Sequence, residues 1–331
     1  MKVLIVVYHA FELWQAPPWF TDRLRGEFPG IEVVQRSDYQ RITEDIADCD
    51  VAITWSLRTE QVQAARKLRW IHSPAAAVHL LMIPEIINSD IVVTNAREIH
   101  GPVVAEHAMA LVLAMAKRIP SSSRWQARRT WAQEQIWYEF PRPREIAGAT
   151  LGLIGLGSIG MEVAGRAAAL GMRVVATREH PERGIDLPGR AKHAVYGPAA
   201  VDEVLTESDY VVVAAPITPQ TRGLLDRQRI ARMKPDAYLI NVSRGALVDE
   251  AALLDALRHR TIGGAALDVL DEEPLPPESP FWELDNVLIT PHTAGLTENL
   301  WDRHYAQISE NLRRFLAGEP LLCQVNKHKG Y

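Results

Sequence analysis

The sequence predicts an α/β protein of two domains, the larger built on a doubly wound parallel sheet. Three observations carry this expectation. Short apolar, β-branched runs alternate with helical stretches along the whole chain. The length of 331 residues exceeds one average domain. An apolar run, Leu151 to Ile154, ends in Gly155-Leu156-Gly157-Ser158-Ile159-Gly160, and a helix-like stretch from Met161 to Leu170 follows at once.

That last stretch reads as strand, tight turn, helix. Gly155 can take the backbone angles of the turn, and Gly157 has no Cβ to hold a pyrophosphate away. Gly160 lets the helix lie close to the strand. The N–H groups that open such a helix face phosphates, so the motif predicts a dinucleotide site.

Composition sets the outer limits. Apolar residues make up 47% and charged residues 23%, as in globular protein. A net charge of −5 gives no reason to expect nucleic acid or an anionic membrane as partner. Cys49 and Cys323 lie far apart and form no metal-ligand spacing, so no metal is expected and free thiols in a reducing compartment are the simpler reading. The apolar run at the N-terminus is short, and His9 and Glu12 follow it without a cleavage site. The most apolar helix candidate, Ala105 to Ala116, is too short to span a bilayer. A cytoplasmic protein is expected.

In chain order, strands are expected at Val3 to Tyr8, Ile31 to Gln35, Val51 to Trp55, Leu68 to His72 and Ile91 to Thr94. They are nearly continuous in apolar residues, which suits a parallel sheet buried on both faces. Pro17 to Glu27, Thr59 to Arg66 and Ala77 to Ile83 read as helices between them. Ile99-His100-Gly101-Pro102 reads as a turn, with Pro102 opening a helix from Val103 to Arg118 that is apolar nearly all round. Pro120 to Phe140 holds Trp125, Trp131, Trp137, Tyr138 and Phe140 among many arginines. A surface loop with a few anchors would explain some of them. Five are more than a solvated loop needs, and they point to a dimer contact.

A second α/β series follows the glycine motif. Its strands are Arg173 to Thr177, Tyr210 to Ala214, Ala237 to Asn241, Ala265 to Val269 and Val287 to Thr290, with helices at Val201 to Glu207 and Glu250 to His259. A last helix, Leu296 to Ala317, is ended by Gly318 and is expected to return to the first domain. The expected division is residues 1–100 with 296–331 as a discontinuous substrate domain, and 101–295 as the dinucleotide-binding domain.

Ligands of a doubly wound sheet bind beyond the carboxyl ends of its strands. Arg244, Glu273 and His292 each follow closely on a predicted strand. Singly, each has an ordinary reading as a surface charge, a solvated carboxylate and a loop histidine. Together they supply what reduction of a 2-oxo acid demands. A protonated imidazole is a general acid for the developing alkoxide, and a carboxylate beside it favours the charged ring. A guanidinium grips the substrate carboxylate as a planar fork.

The chain closely resembles the D-isomer-specific 2-hydroxyacid dehydrogenase family. The resemblance rests on Gly155-Leu156-Gly157-Ser158-Ile159-Gly160, Asn241-Val242-Ser243-Arg244-Gly245, Ala266-Leu267-Asp268-Val269 with Glu273-Pro274-Leu275-Pro276, and Pro291-His292-Thr293-Ala294-Gly295. Val104-Ala105-Glu106-His107 and Asn311-Leu312-Arg313-Arg314-Phe315 extend it. It implies a Rossmann-type doubly wound parallel sheet domain inserted into a smaller flavodoxin-like α/β substrate domain. It implies Arg244 as substrate clamp, His292 as acid/base and Glu273 as its partner. Cofactor contacts are implied at Gly155, Gly157, Ser158, Ile159, Gly160, Thr177, Arg178, Pro216, Thr221, Val242, Asp268 and Gly295, with Asp268 near the nicotinamide carboxamide. It implies a homodimer built through the helix after Pro102, and a small 2-oxo or 2-hydroxy acid as substrate.

The sequence also departs from the family. The stretch that meets the substrate carboxylate corresponds to Ala75-Ala76-Ala77-Val78-His79, and Ala76, Ala77 and Val78 are the expected substrate contacts. Ala77 stands where glycine is common, His79 where aspartate is common, and Glu98 at a site often glycine. Glyoxylate, hydroxypyruvate and larger 2-oxo acids stay open as substrates, as do a formate- or phosphite-type dehydrogenase and a dinucleotide-sensing, corepressor-like binding protein. Where NAD-specific members carry an aspartate, this chain has Arg178, 23 positions beyond Gly155, with Thr177 before it. A guanidinium and a hydroxyl there suit a 2′-phosphate, so NADP(H) is the expected cofactor. NAD(H) stays open, because Glu179 next door can reach a ribose hydroxyl.

Overall fold

Apolar strands that must be buried on both faces are paired into two separate parallel sheets in the computed structural model, which describes residues 1–189 and 191–330. The chain divides into two compact units, Met1–His100 with Leu296–Tyr331 and Gly101–Gly295.

In the first unit the strands are β1 (Lys2–Val6), β2 (Glu32–Arg36), β3 (Val51–Thr54), β4 (Trp70–Ser73) and β5 (Val92–Asn95). All pair in parallel, in the order β2-β1-β3-β4-β5. That order is the flavodoxin-like one. Helices Pro18–Glu27 and Leu300–Ala317 supply Phe20, Leu24, Trp301, Tyr305 and Ile308 to one core, against Val3, Ile5 and Trp70. On the other face Ile42, Ile46, Leu81 and Ile86 pack against Leu4, Val6 and Ile71. Gly318 ends the last helix in a left-handed conformation, φ +71°.

Two expectations for this unit need correction. The stretch Ala77 to Ile83 is not a helix. Only His79–Leu81 makes a single 3₁₀ turn, and a separate short helix runs over Pro84–Ile87. The ring of Pro84 bars the preceding residue from helical angles, and Ile83 is extended (φ −89°, ψ 154°). The last helix opens at Leu300, four positions later than expected from Leu296.

The second unit holds β6 (Thr150–Ile154), β7 (Arg173–Thr177), β8 (Ala194–Tyr196), β9 (Tyr210–Val213), β10 (Tyr238–Asn241), β11 (Gly264–Leu267) and β12 (Val287–Ile289). They form one parallel sheet in the order β12-β11-β10-β9-β6-β7-β8. Winding starts at β6, moves outward to β8, then reverses and runs from β9 to β12. The reversal between β6 and β9 is the topological switch point where such sheets bind ligands. The edge strand β8 was not expected. Its three half-buried residues carry too little apolar signal to stand out.

The helix expected from Val103 to Arg118 runs instead over Arg97–Ala116, with Pro102 inside it. Pro102 therefore opens no helix, and Ile99 to Pro102 is not a turn. Pro102 is the sixth residue of this helix, where its ring removes one backbone donor, and the packing of Val104, Ala105 and Ala108 in the core outweighs that loss. By length and composition the helix could cross a membrane, contrary to the expectation of too short a span. Its window is 67% buried inside the protein, as a core helix is. Residues 119–138 are not a loop but two helices, Ile119–Ala127 and Gln133–Tyr138. Trp131 is 91% exposed, and Trp137, Tyr138 and Phe140 are also exposed.

The first unit also buries histidines. His72 on β4 is fully buried. Trp70 Nε1 donates to Thr94 Oγ1 (2.8 Å), which leaves the Thr94 proton for His72 Nδ1 (2.8 Å). Burial pushes the His72 ring down to about 3 and lowers His304 as well, with His100 and His72 adding repulsion to the latter. Above the ordinary value of 6.5 the ring is neutral whether folded or not. Below it the unfolded chain takes up a proton that the folded chain refuses, so stability falls by up to ~1.4 kcal/mol per pH unit per histidine. Denaturant titrations between pH 7 and pH 4 should therefore give a shallower acid decline for His72→Gln than for the wild type. Equal slopes would show that His72 does not titrate on unfolding.

Candidate active site

The switch-point turn is built by three glycines that do different work. Gly155 sits at φ +99°, and a Cβ there would lie 2.7 Å from both Cα and N of Ala215 at the end of β9. A Cβ on Gly160 would lie 2.2 Å from the Gly155 carbonyl oxygen, so the helix Ser158–Ala169 presses directly on the turn. A Cβ on Gly157 would meet nothing within 4 Å. Packing demands glycine at 155 and 160, while Gly157 borders open space. Gly157 is also the N-cap of the helix and has no side chain to cap it. A glycine-capped helix start over an open, Cβ-free surface fits a pyrophosphate.

Thr177 and Arg178 end the neighbouring strand. The Thr177 hydroxyl accepts the Gly155 N–H (3.3 Å) and its carbonyl accepts the Leu156 N–H (2.9 Å). Thr177 is buried and holds the turn. Arg178 is half-buried, and one guanidinium N–H donates to the Gly184 carbonyl (3.0 Å). In the loop after β9, the Thr221 hydroxyl donates to the Pro216 carbonyl (2.7 Å) and accepts the Thr218 N–H (2.8 Å). Val242 is buried.

Arg244, Glu273 and His292 follow β10, β11 and β12, three neighbours in the sheet. The structure brings Glu273 and His292 into contact. Glu273 Oε2 lies 2.6 Å from His292 Nδ1, and Glu273 Oε1 accepts the Leu270 N–H (3.0 Å). Burial raises the Glu273 carboxyl, but His292, the Leu270 amide and Arg244 outweigh it and hold it below its ordinary value. Burial also draws the Arg244 guanidinium down, opposed by the charge of Glu273. One Arg244 N–H donates to the Ser243 carbonyl (2.6 Å), and other donors of the fork remain.

The loop that carries His292 is clamped from below. Asp268 is 2% exposed. Its Oδ1 accepts the Thr290 hydroxyl (2.6 Å) and the Thr293 N–H (2.9 Å), and its Oδ2 accepts the Ala294 N–H (3.0 Å). Its carbonyl accepts the His292 N–H (2.9 Å). Burial would raise this carboxyl, but the donors, His107 among them, bring it below its ordinary value. His292 itself sits at φ +52°, a left-handed conformation that costs a non-glycine residue free energy and needs such a clamp. Both carboxylate oxygens of Asp268 thus hold the loop that carries His292. Gly295 closes this segment half-buried.

The three expected substrate residues lie in the first unit. The Ala76 carbonyl accepts Asn95 Nδ2–H (2.7 Å), and the Ala75 carbonyl accepts the Ala96 N–H (3.1 Å). Ala76 and Ala77 are half-buried. The Val78 side chain is buried in the core. Sequence reasoning gave no site role to Thr290 or His107. His107 stood in a motif, but nothing in the sequence shows that it meets Thr290, 183 positions away. Among the described residues no group of His, Cys, Asp or Glu could hold a metal ion.

Residues 109–294 match the family model described as D-isomer specific 2-hydroxyacid dehydrogenase, NAD binding domain. The chain belongs to this family. A glyoxylate reductase of Korarchaeum cryptofilum is 33% identical over 84% of this chain and 83% of its own length. A D-3-phosphoglycerate dehydrogenase of Methanocaldococcus jannaschii is 33% identical over 90% of this chain, which spans only 55% of that relative. A D-isomer specific 2-hydroxyacid dehydrogenase of Xanthobacter autotrophicus, solved with NADPH and MES, is 31% identical with a TM-score of 0.80, over 99% of both chains. The protein is thus an NAD(P)-dependent oxidoreductase of the D-2-hydroxyacid type.

In this dehydrogenase, close packing at Gly160 and open space at Gly157 should make substitutions at the two positions behave differently. Gly157→Ala should keep the wild-type melting temperature to within a few degrees, because its methyl meets no atom. Its dinucleotide affinity, read by nicotinamide fluorescence, should fall at least tenfold. Gly160→Ala should lower the melting temperature as well. A Gly157→Ala variant with wild-type affinity would move the phosphates elsewhere.

Proposed function

We propose that the protein reduces a 2-oxo acid to the D-2-hydroxy acid, with His292 as acid/base, Glu273 as its partner and Arg244 as clamp on the substrate carboxylate. The observation that carries this reading is the 2.6 Å contact between Glu273 and His292, beside a guanidinium lowered by burial. The bound nicotinamide supplies a hydride to the carbonyl carbon. His292 Nδ1–H donates to Glu273, which fixes the ring and leaves Nε2 to carry a proton to the carbonyl oxygen. The two additions give the neutral hydroxyl, and the substrate carboxylate stays paired with Arg244. The glyoxylate reductase relative supports a small 2-oxo acid.

The same reading assigns Ser158 and Ile159 to the phosphates, Pro216, Thr221 and Val242 to the wall beside the dinucleotide, and Arg178 to the 2′-phosphate of NADPH. The NADPH in the Xanthobacter relative supports that preference. The exposed aromatics of residues 131–140 support a homodimer contact, and two buried unpaired thiols suit a reducing cytoplasm.

His292→Gln should abolish turnover by orders of magnitude while dinucleotide affinity stays close to wild type. Glu273→Gln replaces a charge that favours the ring proton with a neutral amide. Reduction needs that proton, so kcat should fall in the variant while dinucleotide affinity stays close to wild type. An unchanged kcat would separate Glu273 from His292.

Arg178→Asp should move kcat/KM from NADPH toward NADH by at least tenfold, since a carboxylate repels a 2′-phosphate and bonds a ribose hydroxyl. A wild type that already prefers NADH would end the NADPH assignment.

A further inference from the structure

We propose that His107 is a positioning residue for His292, acting through Thr290 and Asp268. It stands in the Val104-Ala105-Glu106-His107 run, to which the catalytic reading gives no task. Its Nε2 lies 3.0 Å from Thr290 Oγ1 and 3.3 Å from Asp268 Oδ1. The direction of these contacts follows from counting protons. Thr290 has one hydroxyl proton, and it goes to Asp268 Oδ1 at 2.6 Å. Neither atom facing His107 then has a proton to give, so Nε2 must carry one and donate it. A ring with its proton only on Nδ1 would place three acceptors together.

The consequence runs to the reacting side chain. Among the described residues Asp268 forms no ion pair with lysine or arginine, and hydrogen-bond donors hold this buried carboxylate below its ordinary value. It holds the amides of Thr293 and Ala294 and, through its carbonyl, that of His292. These bonds keep His292 at φ +52°. Loss of the His107 donor removes one of the few groups that stabilise the Asp268 anion. The clamp loosens, and the His292 ring leaves its line between Glu273 and the carbonyl oxygen. Arg244 lies on a different strand end and keeps its grip.

This inference rests on His292 as the acid/base, and the experiment separates the two. His107→Leu, His107→Gln and Thr290→Val are compared with the wild type, with rates normalised to folded, dinucleotide-binding protein. His107→Leu should lower kcat roughly tenfold to a hundredfold, the scale of one hydrogen bond to a charged group, with little change in KM for the 2-oxo acid. Gln can present an N–H where Nε2 stands, so His107→Gln should recover most of kcat. Thr290→Val keeps the shape, removes the relay hydroxyl and should match His107→Leu; it carries the test alone if the leucine variant does not fold. A purely structural role would lower the melting temperature and leave kcat per folded molecule unchanged, and that result overturns the proposal. So does a glutamine variant as slow as the leucine one. An active His292→Gln enzyme would instead overturn the acid/base assignment itself.

Discussion

Parallel pairing is the constraint on which the second unit depends. Parallel neighbours cannot be joined by a hairpin, so the chain must cross back over a face of the sheet after every strand. Every strand from β6 to β12 therefore points the same way, and the segments that follow them gather along one edge. The glycine turn leaves β6, Thr177 and Arg178 leave β7, and Arg244, Glu273 and His292 leave β10, β11 and β12. Their nearness in space follows from hydrogen-bonded register, not from nearness in sequence. The reversal of winding between β6 and β9 adds the gap that the crossovers cannot fill.

Close approach at the glycines then sets the local geometry. Helix Ser158–Ala169 lies against the turn because Gly160 has no side chain to lift it from the Gly155 carbonyl. The polar side of the site is organised differently, by one buried carboxylate. Asp268 gathers hydrogen-bond donors from the segment after β12 and so holds a histidine in a backbone conformation that few residues adopt unaided. Van der Waals contact shapes the cradle, and ionic hydrogen bonding shapes the reactive loop.

Much of this was legible in the residues. Strand runs such as Arg173–Thr177 and the helix Val201–Glu207 stood out because burial on both faces or on one stripe leaves a period in the sequence. The glycine turn and the three polar residues after strands were legible because turn geometry and strand ends dictate residue type. What escaped depended on tertiary contact. β8 is stabilised by pairing with β7, and a three-residue edge strand has no periodicity to read. The helix through Pro102 continues because packing overrides one lost donor. The motif around Asp268 is visible in the sequence, whereas the donors that engage it come from Thr290, Thr293, Ala294 and His107, which only the fold assembles.

The placement of Arg244, Glu273 and His292 at the ends of three adjacent strands makes the sheet a ruler. Adjacent strands lie about 4.8 Å apart, so the anchor points of the three groups are spaced by backbone pairing. The connections that return across the faces do not enter that spacing. Insertions at the exposed Pro277-Glu278, between Glu273 and β12, can lengthen the outer surface without widening that spacing. Evolution or a protein engineer can thus graft new surface there, whereas a one-residue slip of β12 against β11 would shift the anchor of His292 along the strand axis.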